Sequence, residues 1–123
     1  MTNLRHGWDM TISDRVHYPQ NSRVIGEYIT HRVPTGTEIL IAAFPAFHLG
    51  QELTFRTEGK YSIVSDESKK VLNRYNGQLL ILLRPEDEVI ADITARFPSL
   101  GILRTIDGIP LGDLVMVTPF GEE

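Results

Sequence analysis

Histidines, and the carboxylates near them, are the residues of this chain that best fit acid–base chemistry. His31 lies in a β-rich segment, His48 lies in a loop bounded by proline and glycine, and Glu52 follows shortly after that loop. Histidine exchanges protons near neutral pH, and a neighbouring carboxylate can orient its ring. If the segment and the loop are neighbours, the three side chains form the candidate site of a small acid–base enzyme or of a small-ligand-binding domain.

The residues and motifs that other catalytic chemistries require are missing from this sequence. The chain has no cysteine, which excludes thiolate zinc sites, iron–sulfur clusters and cysteine nucleophiles. No serine lies in a G-x-S-x-G motif, and both glycine-rich phosphate-binding motifs are missing. The histidine spacing forces no convergence on a metal, and the loop from Asp107 to Asp113 lacks the ligand order of an EF-hand. The sequence therefore predicts no cofactor and no metal, and it favours a protein that is not an enzyme.

Large apolar side chains near the N-terminus indicate contact with other proteins. Residues 1–22 are mostly polar, their isolated apolar residues follow no sustained period, and residues 19–22 are typical of a turn or linker. Tryptophan, tyrosine and methionine are enriched in interface cores. We therefore expect an extended N-terminal arm over 1–22, followed by a single β-rich domain over 23–123. The expected contact residues of the arm, a loop and the tail are Trp8, Met10, Tyr18, Phe47 and Phe120.

Turn residues divide the rest of the chain into short apolar segments that favour β-strands. The expected strands span residues 23–33, 37–44, 52–57, 60–65, 78–84, 102–106 and 114–118. Residues 66–77 fit either a short helix or a hairpin with its turn at Asn76-Gly77. The hairpin is favoured because Asn-Gly between apolar runs is a strong hairpin signal.

One amphipathic helix is predicted over residues 85–97. Pro85 suits the first helical position, and the acids that follow it stabilise the positive end of the helix dipole. Val89, Ile93 and Phe97 recur at helical spacing, and Pro98 ends the helix. The predicted fold class is mainly β, a β-rich α+β domain. It would be a small barrel or sandwich of about seven to eight short strands with this one helix.

Net charge and composition limit the classes of partner and the cellular location that the sequence predicts. The net charge is -4, and no basic cluster exists beyond Lys69-Lys70, which disfavours nucleic acid. The N-terminus lacks the apolar region of a secretory signal, and no apolar run is long enough to span a membrane. The sequence thus predicts a cytoplasmic protein or one within a large assembly such as a virion.

The favoured function is a non-catalytic structural or interaction protein that assembles with itself or with partner subunits as an oligomer. Besides the acid–base or ligand-binding alternative at His31 and His48, a third hypothesis is a small acidic inhibitor of a basic protein surface. Its contact residues would be Glu86, Asp87, Glu88, Asp92, Glu122 and Glu123.

Overall fold

The computed structural model describes the backbone of residues 9–42 and 47–121, and the side chains of residues 21–42 and 48–121. Helices and strands alternate along most of this length. The elements are α1 (Asp9–Arg32), β1 (Glu38–Ala42), α2 (Phe47–Arg56), β2 (Ser62–Asp66), α3 (Ser68–Arg74), β3 (Leu79–Leu83), α4 (Asp87–Arg96), β4 (Gly101–Leu103), β5 (Thr105–Ile106), β6 (Ile109–Pro110) and β7 (Leu114–Thr118).

A mixed sheet of five strands organises the fold, in the order β2-β1-β3-β7-β4. β1 pairs in parallel with β2 and with β3, whereas β7 pairs antiparallel with β3 and with β4. The apolar runs of β1 and β3 are buried on both faces, as expected for central parallel strands covered by helices. β5 and β6 form a separate two-stranded ladder.

Helices cover both faces of the sheet, which gives three layers. Successive strand residues face opposite sides, so each strand contributes to two cores. The first core, between the sheet and α1 with α2, includes Ile25, Ile29, Ile39, Ile41, Leu49, Leu53, Leu79 and Ile81. The second core, between the sheet and α3 with α4, includes Leu40, Val71, Tyr75, Leu80, Leu82, Ile93 and Val117.

The predicted barrel or sandwich is wrong, because the sheet is open and helices pack on both of its faces. The described residues form an α+β fold with four helices, so the mainly β class holds only loosely. The helix predicted over 85–97 is confirmed by α4, but α4 begins at Asp87 after the N-cap residue Glu86, so Pro85 precedes the helix and does not occupy its first position. The strands predicted at 37–44, 78–84 and 114–118 contain β1, β3 and β7, and those predicted at 60–65 and 102–106 overlap β2, β4 and β5.

The N-terminal half departs most from expectation. The strand predicted at 23–33 is wrong, because residues 9–32 form α1. The part of the predicted arm over residues 9–22 is likewise helical and not extended. Val24, Ile25, Tyr28 and Ile29 are buried at helical spacing, whereas the strand prediction rested on their β-branched and aromatic types. The predicted arm boundary at residue 22 therefore falls inside α1. Residues 1–8 lie outside the described residues.

The turn predicted at residues 19–22 also lies inside α1. Asn21 and Ser22 are buried, and the Asn21 side-chain amide donates a hydrogen bond to the Leu111 carbonyl oxygen at 2.9 Å. These polar residues therefore have partners within the fold.

Two further predicted strands are helices. Residues 52–56 belong to α2, where Leu49 and Leu53 are buried one helical turn apart. The hairpin favoured at 66–77 is wrong and the helical alternative is right, since α3 buries Val71 with the following Tyr75 at the same spacing. In the described part of the chain, no helix combines the length and apolar character needed to cross a membrane.

Candidate functional site

A groove of about 490 Å³ lies between α1 and α2. Its lining is Arg23, Gly26, Glu27, Thr30 and His31 from α1, Phe55 and Arg56 from α2, and Glu58 just after α2. The α1 residues recur every three or four positions, so they share one helix face. The buried residues of α1 occupy the other face and hold the helix on the sheet.

A glycine lets the two helices approach closely at this groove. A Cβ atom at Gly26 would lie 3.2 Å from the Cβ atom of Arg56, which is tighter than an ordinary contact between carbon atoms. A larger residue at this position would force the Arg56 side chain or α2 to shift. Gly26 therefore helps to set the spacing between the walls of the groove.

Phe55 is the distinctive residue of the groove. Its side chain is 81% exposed, and it is the one large hydrophobic residue that is exposed in the described parts of the chain. Leu49 and Leu53 of the same helix are fully buried, so Phe55 lies on the outward side of α2. An aromatic ring left in water beside a groove is typical of a contact surface.

Charged pairs lie on both helices that form the groove. The Arg56 Nε group donates to the Glu52 carboxylate at 2.9 Å and to the Ser22 hydroxyl at 3.1 Å, which orients its guanidinium group. On α1, an Arg23 Nη nitrogen lies 3.3 Å from the Glu27 carboxylate. That pair is exposed, so it contributes little stability, and its two side chains can pair with charged groups of a bound molecule instead.

His31 lies in the groove, but the other two acid–base candidates do not line it. The His31 ring is exposed, and its Nδ1 atom lies 2.7 Å from the Glu27 carbonyl oxygen. His48 is exposed near the start of α2, and Glu52 bonds to Arg56.

The topology places the two histidines near opposite ends of β2. Tyr61, which precedes β2, donates to the Val33 carbonyl oxygen at 2.8 Å, so the end of α1 lies where β2 begins. Gly50, in the first turns of α2, packs against Ser65 near the end of β2. His31 is near the start of β2 and His48 is near its end, so the structure does not bring them together.

The predicted contact residues fall mostly outside the described side chains. Trp8 lies outside the described residues, and so do the side chains of Met10, Tyr18 and Phe47. Phe120 is half-buried against the first core, and its backbone N–H donates to the Thr118 hydroxyl at 3.0 Å. Phe120 therefore contacts its own domain.

Phe55 is absent from the predicted contact residues, because residues 52–57 are predicted to form a strand. Its helical phase relative to Leu49 and Leu53 would have placed it on the solvent side. Across residues 9–42 and 47–121, no group of three or more histidine or acidic side chains is arranged to hold a metal ion. Comparison of the chain with protein-family models, curated proteins and solved structures gave no match.

Proposed function

We propose that this chain is a non-catalytic interaction protein that docks a partner protein, another subunit of an assembly, in the groove between α1 and α2. The observation that carries the proposal is the 81% exposed ring of Phe55 at the groove. The complementary partner segment carries an apolar side chain that covers this ring, with charged residues on either side of it.

Burial of the Phe55 ring supplies the driving force for docking. Removing a phenylalanine side chain from water stabilises a complex by about 1.5–3 kcal/mol. Aromatic and arginine residues dominate the binding energy of protein interfaces, and Phe55, Arg23 and Arg56 all line the groove.

The site is preorganised for such a partner. Arg56 is held by Glu52 and Ser22, and the close approach at Gly26 fixes the two helices relative to each other. Preorganised side chains lose less conformational entropy when a partner binds. Docking in the groove therefore needs no rearrangement of the described fold.

Acid–base catalysis is less well supported by the same geometry. Of the three candidates from the sequence, His31 alone lines the groove, and His48 lies near the opposite end of β2. A general base needs an oriented partner within hydrogen-bond reach of the reacting group. The exposed aromatic ring fits a docking surface better than a catalytic site.

Quantitative copurification from the source cells tests this proposal. Phe55→Ser removes the exposed ring without disturbing a core, so the variant should fold normally. The amount of one or a few specific partners that copurifies with it should fall at least about tenfold. Ala95→Ser, on the exposed side of α4 in the opposite layer, is the matched control and should retain them. Identical protein profiles for wild type and Phe55→Ser would contradict the proposal.

A further inference from the structure

We propose that a second copy of this chain binds along the outer edge of β2, so that the two β2 strands pair antiparallel and the two sheets become one continuous sheet. The inference goes beyond docking in the α1–α2 groove and uses a different surface. The backbone pattern of β2, its edge position in the sheet and the charges at its two ends support this dimer.

β2 is an edge strand of the five-stranded sheet. It is the first strand of the sheet and pairs with β1 alone among the strands of residues 9–42 and 47–121. Proteins commonly protect such edges with proline, inward charges or bulges. The β2 sequence Ser-Ile-Val-Ser-Asp has no proline, and its five residues keep continuous register with β1, so no bulge interrupts it.

The direction of the free backbone groups follows from one hydrogen bond. The Ser62 N–H donates to the Thr37 carbonyl oxygen at 3.2 Å, so the backbone groups of Ser62 face β1. Because hydrogen-bonding direction alternates along a strand, those of Val64 also face β1. Ile63 and Ser65 therefore direct both N–H and C=O outward.

A two-fold axis through Val64 satisfies these outward groups. It places Ile63 of each copy opposite Ser65 of the other, and each such pair exchanges two backbone hydrogen bonds. Ile63 and Val64 are half-buried on opposite faces of the sheet edge, and a neighbouring strand would bury both further. The register thus satisfies the free amides and adds apolar burial at the same time.

Charge complementarity selects the antiparallel arrangement. Lys60 lies two residues before β2, and Asp66 is its last residue. In this register Asp66 of one copy lies opposite Ser62 of the other and diagonal to its Lys60, a separation that a lysine side chain spans, so an opposite-charge pair forms at both ends. Parallel pairing would place like charges side by side. Lys60 is free to take this role because its ion pair with Glu58 is exposed and therefore weak.

Sedimentation over a concentration range tests the proposal on the whole chain. Edge pairing buries less area than a standard interface, so we expect reversible dimers across about 1 µM to about 500 µM. The average mass should rise from 13.9 kDa toward twice that value. A chain that stays at 13.9 kDa throughout would overturn the proposal.

Two substitutions at Ser65 test whether its outward N–H group contributes to dimerisation. Ser65→Pro removes that N–H but no hydrogen bond to β1, and it should weaken dimerisation at least about tenfold. Ser65→Ala keeps the N–H and loses only a hydroxyl that has no hydrogen-bond partner in the described structure, so its dimer should match wild type. Equal association of the proline and alanine variants would overturn the proposal.

Lys60→Glu provides a second test of the dimer and leaves the backbone of β2 intact. It places like charges at both ends of the strand pair, so it should also weaken dimerisation at least about tenfold. Adding Asp66→Lys should restore it, whereas unchanged dimerisation of Lys60→Glu would count against the proposal. Phe55→Ser should leave the dimer unchanged, so failure of the docking proposal can be told from failure of this one.

Discussion

Tyr75 shows how a single buried hydroxyl affects the stability of this fold. Its side chain is 3% exposed, and its Oη atom has no hydrogen-bond partner in the part of the chain that the structure describes. The ring packs edge-on against Phe97, with 5.3 Å between the ring centroids. Burial raises the pKa of Tyr75 to about 12, although the positive charge of Arg96 lowers it in part. The hydroxyl therefore opposes folding and the ring favours it.

Replacing that hydroxyl gives a prediction with a matched control. Tyr75→Phe keeps the ring and removes the unsatisfied group, so it should leave the free energy of unfolding unchanged or raise it by up to about 1 kcal/mol. Tyr28→Phe should lower it by about 1–2 kcal/mol, because the Tyr28 hydroxyl bonds to Thr118 and to the Gly121 carbonyl oxygen. Urea denaturation measures both, and equal losses in the two variants would contradict this account.

The pH dependence of the same variant follows from the pKa of Tyr75. In the unfolded chain this tyrosine ionises near its ordinary pKa of 10.0, but in the folded chain it stays neutral up to about 12. The unfolded state therefore loses its proton first, and wild-type stability falls as pH rises from 10.0 to about 12. Tyr75→Phe should lose less stability over this interval, which urea denaturation across it would show.

Among the elements, those with one unambiguous signal could be predicted from the sequence. β1 and β3 are continuous apolar runs, and α4 follows a proline and has acids at its start and an apolar stripe. α1 and α2 could not be predicted from the sequence, because residue type and residue spacing indicate different structures. In α1 the residue types favour a strand while the spacing favours a helix, and in α2 the alternation of Leu53 and Phe55 fits a strand over a short window. Packing on the sheet decides both in favour of the helix.

The close approach of α2 to the sheet depends on Gly50. A Cβ atom there would lie 3.2 Å from the Ser65 Cβ atom. Gly50→Val should therefore lower the free energy of unfolding by about 1–3 kcal/mol, because overpacking displaces the helix from β2. Gln51→Val, on the exposed side of the same helix, should change stability by less than about 0.5 kcal/mol. Equal effects in urea denaturation would show that α2 does not pack closely at Gly50.

At the scale of the whole molecule, strand order and the groove could not be read from the sequence. β7 lies between β3 and β4, although it follows both along the chain, and such non-local pairing leaves no local pattern. The groove combines residues 23–31 with residues 55–58, and no motif links the two segments. Phe55 becomes distinctive only after the helical phase of α2 is known, because its exposure is set by how α2 sits on the sheet.

The central claim is that the groove beside Phe55 docks a partner protein. Site-specific photo-crosslinking in the source cells tests it most directly, with p-benzoylphenylalanine at position 55 and, as control, at position 95 on the opposite helical layer. We predict a discrete adduct with one partner protein from position 55, none from position 95, and loss of the position-55 adduct when Gly26→Leu displaces Arg56 or α2 and so changes the groove. No adduct at position 55, or the same adducts from both positions, would contradict the claim.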